Sequence, residues 1–352
     1  MNKNSNLHKA KEKKNDEFYT QLSDIENELR HYKQHFRGKV VYCNCDDPYE
    51  SNFFKYFILN FNSLGLKKLI TTGYSTSPVI GQEINLFEDE IETPKKQSYA
   101  VIINKGDVGN NQMNLADVKF LLKIKKNTRR KLYGDEQYPA GDFRSKECIE
   151  LLKEADIVVT NPPFSMFREY VAQLEEYQKK YIIWGNMNAV TYKEIFPLIK
   201  ENKMWLGFTA NATKVFQIPQ YYEKWDARIT KERNDGKRYG KVPSITVYTN
   251  LDIQKRHENL ILYKKYNPED YPKFDNYNAI NVDKVSEIPY DYDGVMGVPI
   301  TFLSKYNPEQ FELIGVINHG SDGNWDLCKC MINGKEKFKR LAIRKRKSVV
   351  SE

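Results

Sequence analysis

A chain of 352 residues with 40% hydrophobic and 13% aromatic residues can bury a large core, which excludes a wholly disordered protein. No apolar run approaches the roughly 20 residues needed to cross a bilayer, and the N-terminus "MNKNSNLHKAKEKKND" is polar and basic, without the apolar core of a signal peptide. A cytoplasmic location is the default expectation from those two features, and a formal net charge of +8 points to a polyanionic partner.

In chain order, residues 1–14 read as a disordered basic arm. "GKVVYCN" (38–44) then gives a first strand, and "YESNFFKYFILNF" after it carries a helical apolar stripe. "LKKLITTGY" (66–74) gives a second strand, and "SYAVIIN" (98–104) a third, inside a polar segment of about 75–135 that reads as an insertion. "SKECIELLKEA" spaces Cys148, Ile149, Leu151, Leu152 and Ala155 on one helical face and leads into the strand "DIVVT". "FREYVAQLEEYQKK" is the next helix and "YIIWGN" (181–186) the next strand. Such alternation predicts βαβ units and an α/β fold with a doubly wound, mostly parallel sheet. After about Tyr221 the texture changes. Strands such as "SITVYTN" (244–250) and "FELIGVIN" (311–318) lack crossover helices, and Pro268, Pro272, Pro289, Pro299 and Pro308 interrupt the chain. This predicts a smaller β-containing C-terminal module.

The five cysteines include the pairs Cys43/Cys45 and Cys328/Cys330. Cys43 and Cys45 are expected on one face of the first strand. No His or Cys stands at zinc-ribbon spacing from either pair, so reduced, packed thiols are the expectation and no metal is assigned. The densest basic runs are "KFLLKIKKNTRRK" (119–131) and "KEKFKRLAIRKRK" (335–347). Each alone is a solvated face; several on a basic chain favour phosphate contacts.

The chemistry concentrates in "ADIVVTNPPF". Ile157, Val158 and Val159 form a buried parallel strand, and Pro162 and Pro163 stop it at Asn161. In doubly wound sheets ligands bind beyond the carboxyl ends of strands. An exocyclic amine on a heteroaromatic ring is a poor nucleophile because its lone pair is delocalised. The Asn161 amide oxygen and the Pro162 carbonyl can accept both of its N–H bonds, which localises that lone pair. Phe164 can stack on the ring. The pieces suit methylation of an amino group.

Asn161-Pro162-Pro163-Phe164 matches the [Asn/Asp/Ser]-Pro-Pro-aromatic motif of S-adenosylmethionine-dependent amino methyltransferases. The chain resembles the EcoRI-type adenine-specific DNA methyltransferase family. The resemblance runs from "NDEFYTQLSDIENEL" through "VVYCNCDDPYESNFFKYF", "KKLITTGY", "GDFRS" and "ADIVVTNPPFSMFREYV" to "YIIWGNMNA" and "GVMGVPITFLSKYNPEQFELIG". It implies a Rossmann-like methyltransferase domain over about 15–250, a target-recognition region over 251–352, and methyl transfer from S-adenosylmethionine to N6 of an adenine flipped out of double-stranded DNA. It also implies a monomer on DNA and a cognate restriction endonuclease encoded nearby, or else an orphan or phage enzyme.

For the cofactor the resemblance implies Phe18, Tyr19 and Thr20 at the methionine end. A helix start capped by Thr20 or Ser23 is the plainer reading of those letters. Next comes the loop after the first strand: Cys43, Asn44, Asp46, Asp47, Pro48, Ser51 and Asn52, where Ser51 and Asn52 stand at the usual glycines. Asp142 and Phe143 fit the element that holds the cofactor adenine, although Asp142 could merely charge the following helix. No acidic residue for the ribose follows "KKLITT". Methylation of RNA adenine or of protein glutamine, and a catalytically silent DNA-binding subunit, are the rival readings.

Overall fold

The computed structural model describes residues 19–45, 51–73, 98–108, 117, 129–212, 214–218, 230–232, 236, 238–242, 244–317 and 330–346. The chain divides into two compact units, Met1–Gly185 with Ala212–Leu251, and Asn186–Asn211 with Asp252–Glu352.

In the first unit, runs too apolar for a half-wetted sheet become central strands. β2 (Val40–Asn44) and β6 (Ile157–Thr160) are buried along their whole length. β3 (Lys68–Thr72) and β7 (Lys180–Asn186) flank them, and β3, β2, β6 and β7 pair in parallel in that order. Between them run α2 (Asn52–Leu59), α3 (Lys146–Glu154) and α4 (Phe167–Glu176), so the expected doubly wound sheet is present. β4 (Tyr99–Asn104) and β5 (Arg129–Lys131) extend it antiparallel beyond β3, and β12 (Ile245–Thr249) lies beyond β7. β4 and β5 belong to the stretch read as an insertion, yet they are strands of the main sheet. Residues 74–97, 109–116 and 118–128 of that stretch, with most of the first basic run, lie outside the described residues.

The core of this unit is aromatic. α2 buries Phe53, Phe54, Tyr56, Phe57 and Ile58, and Phe53 meets Trp184 edge-on at 4.8 Å. Pairs of this kind contribute about 0.5–1.5 kcal/mol beyond their area burial. Phe167 of α4 lies so close to β7 that a Cβ on Gly185 would stand 2.4 Å from its ring. A separate antiparallel sheet joins β1 (Tyr19–Thr20) to β9 (Lys214–Ile218), then β11 (Arg238–Val242) and β10 (Thr230–Glu232). The Asp24 carboxylate on α1 (Leu22–Leu29) accepts the Val215 N–H at 3.2 Å and so ties that sheet to the helix.

The second unit holds β8 (Trp205–Leu206) and a four-stranded sheet. Its order is β13 (Ile280–Asn281), β14 (Met296–Pro299), β18 (Arg340–Lys345) and β15 (Phe311–Ile317). Phe274, Ala279, Ile317, Cys330, Ile332 and Ala342 pack into one cluster. β16 (Met331–Ile332) and β17 (Lys335–Glu336) form a hairpin whose two turn residues, Asn333 and Gly334, have φ of 49° and 70°. That pair is the signature of a tight turn matching the strand twist. The second basic run is therefore not one solvated face: Leu341, Ala342 and Ile343 in its middle are fully buried in an inner strand. Arg340 is 7% exposed and donates to Asn281 and Asp283, while Arg344 pairs with Glu312 at 2.8 Å.

Cys43 and Cys330 are buried. Cys45 does not share a strand face with Cys43, because β2 ends at Asn44 and Cys45 takes φ of 63°. Among the described residues no helix is long and apolar enough to cross a membrane.

Candidate active site

Two parallel strand ends frame the site. β2 and β6 are direct neighbours, with Val41 opposite Ile157 and Tyr42 opposite Val158. Their last residues are joined, since the Thr160 hydroxyl donates to the Asn44 carbonyl. Beyond Thr160 the prolines take over. Pro162 is buried, Asn161, Pro163 and Phe164 are half-buried, and the Met166 N–H closes a tight turn onto the Pro163 carbonyl at 3.0 Å. The turn (Phe164–Met166) runs directly into α4, so helix and motif form one rigid piece. The Oδ1 atom of Asn161 is buried and, among the described residues, accepts no hydrogen bond, while the residue keeps other contacts.

α4 connects this piece to its surroundings. Its Tyr170 hydroxyl donates to Asn44 Oδ1, and its ring stands edge-on to Phe143 at 5.0 Å and 76°. Gln173 Nε2 donates to the Phe143 carbonyl at 3.1 Å. Asn44 and Phe143 thus meet at one helix face, and the Asn-Pro-Pro-Phe segment leads into the start of the same helix. The apolar stripe Phe167, Tyr170, Val171 and Leu174 was legible, but it hides the role of the one hydroxyl within it.

The loop carrying Asp142 and Phe143 is firmly held. Asp135 accepts the N–H groups of Gln137, Tyr138 and Lys146, which together hold its carboxyl below the usual range. Glu147 of α3 accepts those of Tyr133 and Gly134. Gly141 has φ of 80°, and its α-carbon sits against the Gly73 carbonyl at the end of β3, where a Cβ would come within 2.1 Å. Asp142 is 2% exposed, and Arg144 occupies both its oxygens: N and Nε on Oδ1 at 3.0 and 2.9 Å, Nη2 on Oδ2 at 2.8 Å. Arg144 also pairs with Glu169 at 3.1 Å and lies over the Tyr138 ring at 4.4 Å. Those carboxylates, Asp142 foremost, hold the guanidinium firmly protonated. Asp142 is thus first a partner of Arg144, which the sequence reading missed.

Of the residues expected around a cofactor, Cys43 is buried in β2 and Asn44 is fixed between Tyr170 and Thr160. Ser51 caps α2 by accepting the Phe53 and Phe54 N–H groups, a contribution of about 1 kcal/mol. The Asn52 side chain donates to the Thr20 carbonyl at 2.8 Å, which brings β1 to the start of α2. Thr20 is therefore a strand residue rather than a helix cap, and its buried hydroxyl oxygen has no hydrogen-bond partner among the described residues. A buried hydroxyl in that state costs free energy unless something bonds it, and a polar ligand end fits there. Tyr19 pairs through its backbone with Gln217. Phe18, Asp46, Asp47 and Pro48 lie outside the described residues. Cys45 shows how β2 turns away without the usual glycine: it adopts the left-handed conformation itself.

A doubly wound sheet whose β6 ends in Asn-Pro-Pro-Phe, beside a strand end bonded to the same helix, defines a methyltransferase acting on amino groups. More narrowly, the chain belongs to the family described as adenine-specific methyltransferase EcoRI, whose sequence profile matches residues 6–351. It is 47% identical to the Type II methyltransferase M.EcoRI of Escherichia coli over 98% of this chain and 97% of that protein. It is 36% identical to the Type II methyltransferase M.MpnI of Mycoplasma pneumoniae, over 98% of this chain and 99% of the relative. The Mycoplasma genitalium Type II methyltransferase M.MgeORF184P is also 36% identical, over 96% and 98%. No solved structure matches the chain.

Proposed function

We propose that this adenine-specific DNA methyltransferase takes its methyl group from S-adenosylmethionine and modifies N6 of an adenine flipped out of a defined duplex sequence. The observation that carries the reading is the position of Asn161-Pro162-Pro163-Phe164 at the carboxyl end of β6, next to the carboxyl end of β2. The Asn161 amide oxygen and the Pro162 carbonyl accept the two N–H bonds of the adenine amine, and Phe164 covers the ring. When bound, the donor supplies an electrophilic sulfonium methyl. Thr20 of β1 and Asn44 at the end of β2 are suited to its polar end, and Phe143 to its adenine. Asp142 joins them only where Arg144 yields part of its hold.

Residues 251–352 are taken as the target-recognition region, the enzyme as a monomer on DNA in the cytoplasm, and its context as restriction–modification with an endonuclease encoded nearby. RNA and protein glutamine remain the comparison substrates. Labelled methyl groups offered to duplex DNA, RNA and ribosomal extract should enter DNA. Asn161→Ala should lower turnover at least several hundred-fold, roughly 3–4 kcal/mol for a lost preorganised hydrogen-bonding group, with donor binding nearly unchanged. Normal turnover in that variant would refute the assignment.

A further inference from the structure

In the second unit one aromatic side chain stands apart. Phe338 is 88% exposed, the most exposed of the large hydrophobic residues described. Full burial of such a ring is worth about 1.5–3 kcal/mol, so folding leaves that stabilisation unused.

The ring is nevertheless carried on a fixed backbone. The hairpin tip before it is pinned by Asp275, whose two carboxylate oxygens accept the Asn333 and Gly334 N–H groups at 3.0 and 2.9 Å. The Lys337 N–H returns to the Cys330 carbonyl at 2.7 Å. On the other side the Arg340 guanidinium, buried and anchored on Asn281 and Asp283, donates to the carbonyls of Phe338 and Lys339. Lys339 in turn donates to the Thr191 hydroxyl at 3.2 Å. Lys335, Lys337 and Lys339 thus stand within three positions in sequence of a protruding phenyl ring on a held backbone. A partner for it must offer negative charge and a flat apolar surface within a few ångströms of each other. Duplex DNA does so at every base step, with phosphates outside and base faces within.

We propose that Phe338 is a wedge that enters the base stack of the bound duplex while Lys335 and Lys337 neutralise flanking phosphates. The inference rests on the proposed DNA substrate. Apolar wedges of this kind kink DNA by roughly 20–90°.

The test uses the full chain and a duplex carrying the site found by mapping N6-methyladenine, labelled at its ends for energy transfer. Phe338→Ala should bind about 5- to 100-fold more weakly, the range for losing one aromatic–base stack. It should bend the duplex less, with the same salt dependence, donor binding and melting temperature as wild type. Phe338→Trp should retain affinity and bend. Lys335→Gln combined with Lys337→Gln should keep the bend but flatten the slope of log K against log salt by about 0.9 per lost contact. Wild-type affinity and bend in Phe338→Ala overturn the wedge. So does conversion of a dimer to a monomer by Phe338→Ala in sedimentation, which would assign the ring to a second copy of this chain. If wild type methylates no duplex, the proposed function falls and the wedge with it; if wild type methylates and Phe338→Ala is indistinguishable from it, the wedge alone falls.

Discussion

Substituting Gly141 by alanine tests whether the Asp142–Phe143 loop is held by steric contact with the end of β3. At φ of 80° the residue is in the left-handed region, which costs an L-residue about 1–2 kcal/mol. The new methyl would begin 2.1 Å from the Gly73 carbonyl oxygen and 2.4 Å from Ser98 Oγ. Those two atoms are hydrogen-bonded to each other, so neither is the loose end of a flexible chain. Overpacking of this kind adds about 1–3 kcal/mol, for a total of about 2–5 kcal/mol against an overall stability of about 5–15 kcal/mol. Thermal unfolding should shift down by about 4–20 °C at 2–4 °C per kcal/mol for a domain of this size. Calorimetric titration should show weaker S-adenosylmethionine binding, because Asp142 and Phe143 move with the loop. Gly38→Ala is the control: φ is 72° there, with nothing within 4 Å of the added carbon, so only the conformational cost applies. Equal melting shifts for the two variants would refute the steric argument.

Tyr170→Phe removes the donor to buried Asn44 and should cost about 1–3 kcal/mol, read as a lower melting temperature with weaker donor binding; wild-type values for both would refute the link. Arg344→Gln should leave the salt dependence of DNA binding unchanged, because Glu312 already engages that charge, in contrast to Lys335→Gln with Lys337→Gln. Asp135 titrates below the ordinary carboxylate value of 3.8, so its stabilisation is full above that pH and lost as pH falls through the lowered folded value. Asp135→Ala should therefore melt below wild type at pH 7, and the gap should close in acid.

Strand–helix alternation was legible because β2, β6 and β7 are apolar runs of strand length while α3 and α4 carry a 3.6-residue stripe. Both signals are local. Pairing between distant segments is not: nothing near Tyr19–Thr20 announces Lys214–Ile218 as its partner, and nothing in Asn186–Asn211 announces its membership of the second unit. Truncating before Leu251 would leave Asn186–Asn211 without the rest of its unit, so a domain exchange is the cleaner test of target recognition. In the site, Asn161 to Phe164 could be read because the prolines force the strand to end. The Arg144 hold on Asp142 could not, because an acid two residues before an arginine has no conformation in sequence. In the run Lys335–Lys347 the count of charges did not reveal that Leu341, Ala342 and Ile343 set an inner strand.

β5 has a consequence for experiments on DNA affinity. Among the described residues it is the outermost strand at one end of the main sheet, and it consists of Arg129, Arg130 and Lys131, the last two exposed. An outer strand offers unpaired backbone groups to any passing chain, and clustered cations are a common guard against such self-association. Neutralising these residues to look for phosphate contacts would also remove that guard. The resulting loss of methylation would then track protein concentration and light scattering rather than ionic strength.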